Sequence, residues 1–257
     1  MKILIIGDVI GQRGVEFVKR HLKSLKKLKD IDLCIANGEN SANGNGITKD
    51  SANGLINAGV DVITLGNHAF NKPDVFDLFS EDYPIIRPSN FPPGTPGEGD
   101  ILIDVGSFTV GVVNIMGRVN LKCVDCPFRS ADSIIKKLNK KANVIVVDFH
   151  AEATSEKIAM GFHLDSRVTA VIGTHTHVQT ADERVLPGGT AYITDIGMTG
   201  PVDSVLGVKK EIIVKWFMTQ THHRFELSDN PISLSGVIVE ADENTGKALS
   251  IERITIA

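Results

Sequence analysis

The chain has 257 residues, 42% hydrophobic and 23% charged, with a formal net charge of -4. This is an ordinary globular composition, enough for one large domain or two small ones, and its acidic balance argues against the basic face of a nucleic-acid binder. No apolar run nears the roughly 18 residues of a membrane span, the opening Ile/Leu run is too short for a signal peptide, and three cysteines are too few for a disulfide framework, so a cytoplasmic location is expected.

In chain order, residues 2–6 are a continuous Ile/Leu run, the pattern of a strand buried on both faces. Val15, Val18, Leu22 and Leu25 then recur at helical spacing, with lysines on the opposite face. Residues 31–36 read as the next strand. Thr48 is placed to cap a helix carrying Ala52, Leu55 and Ile56 and ending at Gly59. A third strand is expected over 60–65. Later strands are expected over 101–105, 109–115, 144–147, 168–172, 190–193, 211–217, 236–240 and 248–254. The first half thus reads as βαβαβ, and the last part as strand-rich without long helices, a mixture that suits stacked sheets flanked by helices. The Pro/Gly-rich segment 91–100 is the natural subdomain boundary.

The chemistry lies just past the strands. Gly7-Asp8 follows the first, Asn37-Gly38-Glu39-Asn40 the second, and Gly66-Asn67-His68 the third. Asp148-Phe149-His150 and Gly173-Thr174-His175-Thr176-His177 follow two later ones. Open α/β sheets bind ligands beyond the carboxyl ends of their strands. Five strand ends therefore deliver carboxylates, carboxamides and imidazoles to one edge, each glycine allowing a sharp turn into a shared site. Taken singly, each residue has a bland reading as a turn, a cap or a satisfied polar group; the combination does not. Three imidazoles with oxygen ligands suit Fe, Mn, Co or Zn rather than Mg or Ca. One carboxylate can bridge two cations about 3.5–4 Å apart, and His175 and His177 can address different ions from one loop.

These motifs, in this order, resemble the calcineurin-like metallophosphoesterase superfamily. The resemblance to its YmdB-type branch runs along nearly the whole chain, including the 41–48 segment and Arg87-Pro88. It implies an α/β fold, a double β-sheet sandwich flanked by helices, formed by one domain over 1–257 with a small subdomain or cap around 69–100. It also implies two transition-metal ions, iron or manganese first and zinc or cobalt next. Asp8, Glu39, Asn40 and His177 would hold one ion, and Glu39, Asn67, His150 and His175 the other, with Glu39 bridging. The implied activity is phosphodiester hydrolysis, notably of 2′,3′-cyclic nucleotides, by hydroxide attack with His68 as proton donor. The implied partners are a small phosphodiester or cyclic nucleotide and, by extension, RNA ends, with no membrane; homo-oligomerisation stays open. Three departures from the wider superfamily stand out: Asp8-Val9-Ile10 lacks its usual Asp-x-His histidine, Glu39 stands where it normally carries Asp (a feature the YmdB-type branch shares), and Ala69 follows His68 where many relatives carry an acid. Two other functions use the same residues: a regulatory metal- and nucleotide-binding protein with negligible turnover, and a phosphomonoesterase or protein phosphatase.

Other signals are weaker. Gly7, Gly11 and Gly14 miss the dinucleotide-loop spacing, and Cys123 and Cys126 have no second pair with which to build a zinc site. His222-His223 reads as an exposed turn, and the lysines between 19 and 29 as a solvated helix face.

Overall fold

The computed structural model describes residues 1–43 and 45–257; Gly44, within the 41–48 segment, lies outside the described residues. Two β-sheets stack face to face with helices on both outer sides. In the first sheet the strand order is Asp8–Val9, Met198–Pro201, Ile232–Ala241, Lys2–Ile6, Leu33–Asn37, Val62–Thr64 and Ile85–Ile86, with Ala248–Ile256 also paired to Ile232–Ala241. The second sheet runs Arg184–Val185, Ala191–Ile193, Ala170–Thr174, Val144–His150, Phe108–Met116 and Asp100–Val105. Lys2–Ile6, Leu33–Asn37 and Val62–Thr64 are mutually parallel neighbours, as are Phe108–Met116, Val144–His150 and Ala170–Thr174. Each parallel set therefore points its carboxyl ends the same way.

Alternation along each strand explains the layers. Ile3 and Ile5 join Leu33, Ile35, Val144 and Val146 in the core between the sheets. Leu4 and Ile6 face the other way, against Val15, Val18, Leu22 and Leu55. Ile145 and Val147 pack on the outer side of the second sheet with Ile135, Met160 and Leu164. At about 1.5–3 kcal/mol per fully buried aliphatic side chain, a strand buried on both faces cannot slip register without forfeiting both cores.

The amphipathic helix is Gly11–Lys29, with Val15, Val18, Leu22 and Leu25 buried. Thr48 caps Lys49–Ala58 through a reciprocal bond with Ser51, and Gly59 ends that helix with a left-handed φ of 108°. The expected strand over 211–217 is a helix, Lys210–Thr219. Short apolar runs do not reveal their period, and this one takes no place in either sheet; Lys2–Ile6 and Met198–Pro201 flank Ile232–Ala241 along one side and Ala248–Ile256 along the other. Helices Asp74–Ser80, Pro127–Leu138 and Thr154–Leu164 also lie where the sequence reading placed none. Segment 91–99 carries the chain from the first sheet to the second. The Arg87 guanidinium holds it, donating to the carbonyls of Pro88, Thr95 and Pro96 at 2.8–3.1 Å. No described helix is long and apolar enough to cross a membrane.

Candidate functional site

The five strand ends do meet. Asp8, Glu39 and His150 are fully buried, and Asn40 and Asn67 nearly so, while His175 and His177 close the site from the loop after Ala170–Thr174. The chain does turn at Gly38 and Gly66, whose carbonyls accept from the Ser41 and Ala69 amides at 3.1 Å, but these turns do not draw on glycine's freedom in φ. None of Gly7, Gly38, Gly66 or Gly173 has a positive φ; what they supply is room. A Cβ on Gly66 would collide with the His150 ring and with Glu39 Oε2, and one on Gly173 would collide with the Thr194 carbonyl oxygen. The strain falls instead on two histidines: His175 has φ 103° and His177 φ 63°, positions that cost a non-glycine residue about 1–3 kcal/mol each.

Around Glu39 the geometry is unusual. Its Oε1 has no hydrogen-bond donor, although it is buried, and it lies 3.0 Å from His150 Nε2. His150 Nε2 is also 2.9 Å from Asn67 Oδ1 and 3.1 Å from His175 Nδ1. The hydrogen-bond network behind the rings fixes which nitrogens carry protons. The Thr174 hydroxyl donates its only proton to Asp148 Oδ1 (2.7 Å), so at 2.9 Å it must accept from His150 Nδ1. His175 Nε2 faces Glu152 Oε2 at 3.0 Å. The inward His150 Nε2 and His175 Nδ1 are therefore left as lone pairs, converging on two oxygen acceptors. Glu39, His150 and His175 can hold a metal ion, and an acceptor-only cluster in a buried pocket is stable only around a cation.

A proton is the substitute that the chain itself can supply. Burial disfavours charge on His150, but Glu39, Asp8 and Asp148 outweigh it and lift its pKa to about 9. His175 is pushed down to about 4 by burial and by His150. Asp8 and Glu39 resist burial and stay below the usual carboxylate range because His177 and His150 sit against them. Asp148 is lifted to about 6 by burial.

The second group centres on Asp8. His177 Nε2 lies 3.5 Å from Asp8 Oδ1, and its Nδ1 is turned toward the Leu206 carbonyl. Asn40 Nδ2 donates to Asp8 Oδ1 (3.3 Å) and lies 3.3 Å from His177 Nε2. The Asn40 carboxamide thus presents its nitrogen, and to serve as an oxygen ligand it must turn over. Asp8 Oδ2 accepts from the His175 amide (3.2 Å), tying the two groups together.

His68 stands at the rim. Its amide donates to Glu39 Oε2 (2.8 Å). Its ring lies between two carboxamides, Asn71 Nδ2 at 2.8 Å from Nδ1 and Asn45 Nδ2 at 3.1 Å from Nε2. Partial burial, reinforced by His150 and Lys122, lowers its pKa. With Ala69 next in the chain, Asn71 three residues on takes the ring-holding position that a neighbouring acid would fill. The sequence reading missed Asn71 and Asn45, and also the supports Thr64, Lys157 and Asp195, and it named Asp148 and Thr174 without a role. Asn37, named there without a role, donates to Asp148 Oδ2 (3.4 Å) and accepts from the Glu39 amide (3.1 Å). Cys123 and Cys126 are free thiols, the latter abutting the Pro127–Leu138 helix.

Known proteins share this whole framework. A family model described as "YmdB-like protein" matches residues 4–254. The chain belongs to the YmdB-like family. Within it, the chain is 48% identical over its full length to a Bacillus subtilis protein named 2′,3′-cyclic-nucleotide 2′-phosphodiesterase, covering 97% of it. A crystal structure of a hypothetical protein from Thermus thermophilus superposes with TM-score 0.94 at 39% identity, covering 100% of this YmdB-like chain and 99% of that one. A crystal structure described as a novel phosphatase from Mycoplasma pneumoniae superposes at 0.93 and 35%, covering 100% and 93%. The NAD nucleotidase of Haemophilus influenzae, at TM-score 0.63 and 14% identity over 99% of this chain and 55% of that one, shares the fold.

Proposed function

We propose that this YmdB-like protein is a metal-dependent phosphodiesterase acting on small phosphodiesters, 2′,3′-cyclic nucleotides among them, and by extension on RNA ends carrying the same cyclic ester. The observation that carries this reading is the convergence of lone pairs on Glu39 Oε1 with a histidine held at the rim. Asp8, Asn40 and His177 would hold one cation, Asn67, His150 and His175 a second, with Glu39 shared between them. Two transition-metal cations, iron or manganese first, would supply Lewis-acid stabilisation of phosphoryl oxygens and a water activated for in-line attack. The chain's own contribution is to hold that donor set rigid, to keep the Glu39 pocket dry, and to place His68 where it can give a proton to the departing oxygen.

Two experiments test this. Protein purified without chelators should carry close to two transition-metal ions per chain, and kcat/KM should be far higher on a 2′,3′-cyclic nucleotide than on a matched monoester. Metal-free protein with full activity, or a reversed preference, would overturn the reading. His68→Ala should slow a 2′,3′-cyclic nucleotide by roughly 10²–10⁴-fold, because a ribose alkoxide leaves poorly without a proton. Bis-nitrophenyl phosphate should suffer far less, since nitrophenolate departs unaided, with metal content retained. Equal losses on the two substrates would remove the acid role and leave His68 as a binding residue.

A further inference from the structure

A cleft of about 740 Å³ is lined in part by Asn45 and Asn71, the two carboxamides that hold the His68 ring. That is within the ~300–1,000 Å³ typical of small-ligand sites. One wall is made of carboxamides: Asn45 and Asn71, which hold the His68 ring, and Asn43 beside them. The facing wall is the 224–227 segment, with Arg224 and Phe225 at its head. This wall is tied back to the other end of the metal site. Val208 is bridged to Leu227, the Lys209 amide donates to the Glu226 carbonyl (2.9 Å), and the Leu206 carbonyl faces His177 Nδ1 at 3.4 Å. The cleft thus lies beside the site, lined by residues that adjoin its two outermost histidines.

The chemistry of its lining is specific. Phe225 is 52% exposed, with its ring edge-to-face against Trp216 at 6.0 Å. Glu226 is already paired with Lys209 at 2.8 Å, whereas among the described residues Arg224 has no salt-bridge partner within 4.0 Å. The proposed metal ligands and His68 would serve a bare phosphate ester. An aromatic face, a guanidinium and a row of carboxamides are instead what a nucleobase needs: a π surface to stack on, and mixed donors and acceptors for its edge.

Resting on the phosphodiesterase reading, we propose that this cleft is a nucleobase subsite in which Phe225 stacks on the base, with Arg224 and the Asn43 carboxamide facing its polar edge, so that the protein selects nucleotide esters over base-free ones. A base–aromatic stack sets the expected discrimination at roughly tenfold or more.

The test uses metal-loaded wild type, Phe225→Ala and Phe225→Tyr. Binding of adenosine 3′-monophosphate and of ribose 3-phosphate is followed by the fluorescence of Trp216, the chain's single tryptophan, with calorimetry as a second readout. The ratio of kcat/KM for adenosine 2′,3′-cyclic phosphate over ribose 2′,3′-cyclic phosphate is measured in parallel. Wild type should favour the base-bearing ligand by roughly tenfold or more in both ratios; Phe225→Ala should bring the ratios toward one, and Phe225→Tyr should restore them. A ratio near one in wild type, or a ratio that Phe225→Ala leaves unchanged, overturns the subsite. Base discrimination in binding without turnover of either ester would support the subsite and overturn the phosphodiesterase reading instead.

Discussion

Glu39→Gln protein should lose metal at both positions and chelator-sensitive stability with it. The carboxylate is the one group expected to touch both cations, and without them its buried Oε1 has His150 Nε2 at 3.0 Å, a donor only when that ring is protonated. Glutamine keeps the shape but removes the charge that offsets cation–cation repulsion, and its amide can donate to the lone pairs of Asn67 and His150 nearby. The expected results are less than one metal ion per chain by elemental analysis and kcat/KM reduced by roughly 10³-fold or more, since each 1.4 kcal/mol of lost transition-state stabilisation is about tenfold and a Lewis-acid cation supplies several. Because a ligand that binds only the folded state stabilises it, a chelator should lower the melting temperature of wild type and leave that of Glu39→Gln nearly unmoved. His177→Ala, which touches only the Asp8 group, should keep about one ion. Equal one-ion losses in both variants would show that Glu39 does not bridge.

The second large effect is expected at a pair that touches neither cation. Lys157 and Asp195 are 1% and 0% exposed, with Nζ 2.7 Å from Oδ2. Asp195 Oδ2 also accepts from the Thr176 amide (3.0 Å), and Oδ1 from the Gly197 amide (2.9 Å). Thr176 lies between His175 and His177, the two histidines held at positive φ, so this carboxylate anchors the strained loop. Lys157→Met leaves a buried carboxylate without its cation, and removing one partner of such a pair typically costs about 3–5 kcal/mol. Denaturant unfolding should show that loss, together with weaker metal binding by the otherwise intact His175–His177 loop. Lys157→Met/Asp195→Asn should be more stable than the sum of the two single losses, because no unpaired charge remains. A Lys157→Met variant within about 1 kcal/mol of wild type would mean that the pair does not act as a buried anchor.

Short stretches of chain encode much of this fold. The continuous Ile/Leu runs marked strands buried on both faces, and the spacing of Val15, Val18, Leu22 and Leu25 marked the first helix. Thr48 and Gly59 bounded the second. Residue types at the strand ends nominated the polar residues from which the proposed metal ligands are drawn, since parallel strands carry their carboxyl ends to one edge whatever the details, and the family resemblance implied which of them would bind. Tertiary structure alone decided how those members are held. Which nitrogen of His150 points inward depends on Thr174 and Asp148, and Asp148 depends in turn on Thr64 and Asn37, 84 and 111 residues away along the chain. Residues 211–217, a strand by their apolar run, coil into a helix that joins neither sheet and buries only Ile213. Gly66 and Gly173 looked like glycines that a turn requires because their neighbours in sequence are visible and their neighbours in space are not: the His150 ring and the Thr194 carbonyl fill the space that a side chain would need. Backbone periodicity is a local property, whereas proton positions, close approach and burial of charge belong to contacts that exist only once both sheets have closed on each other.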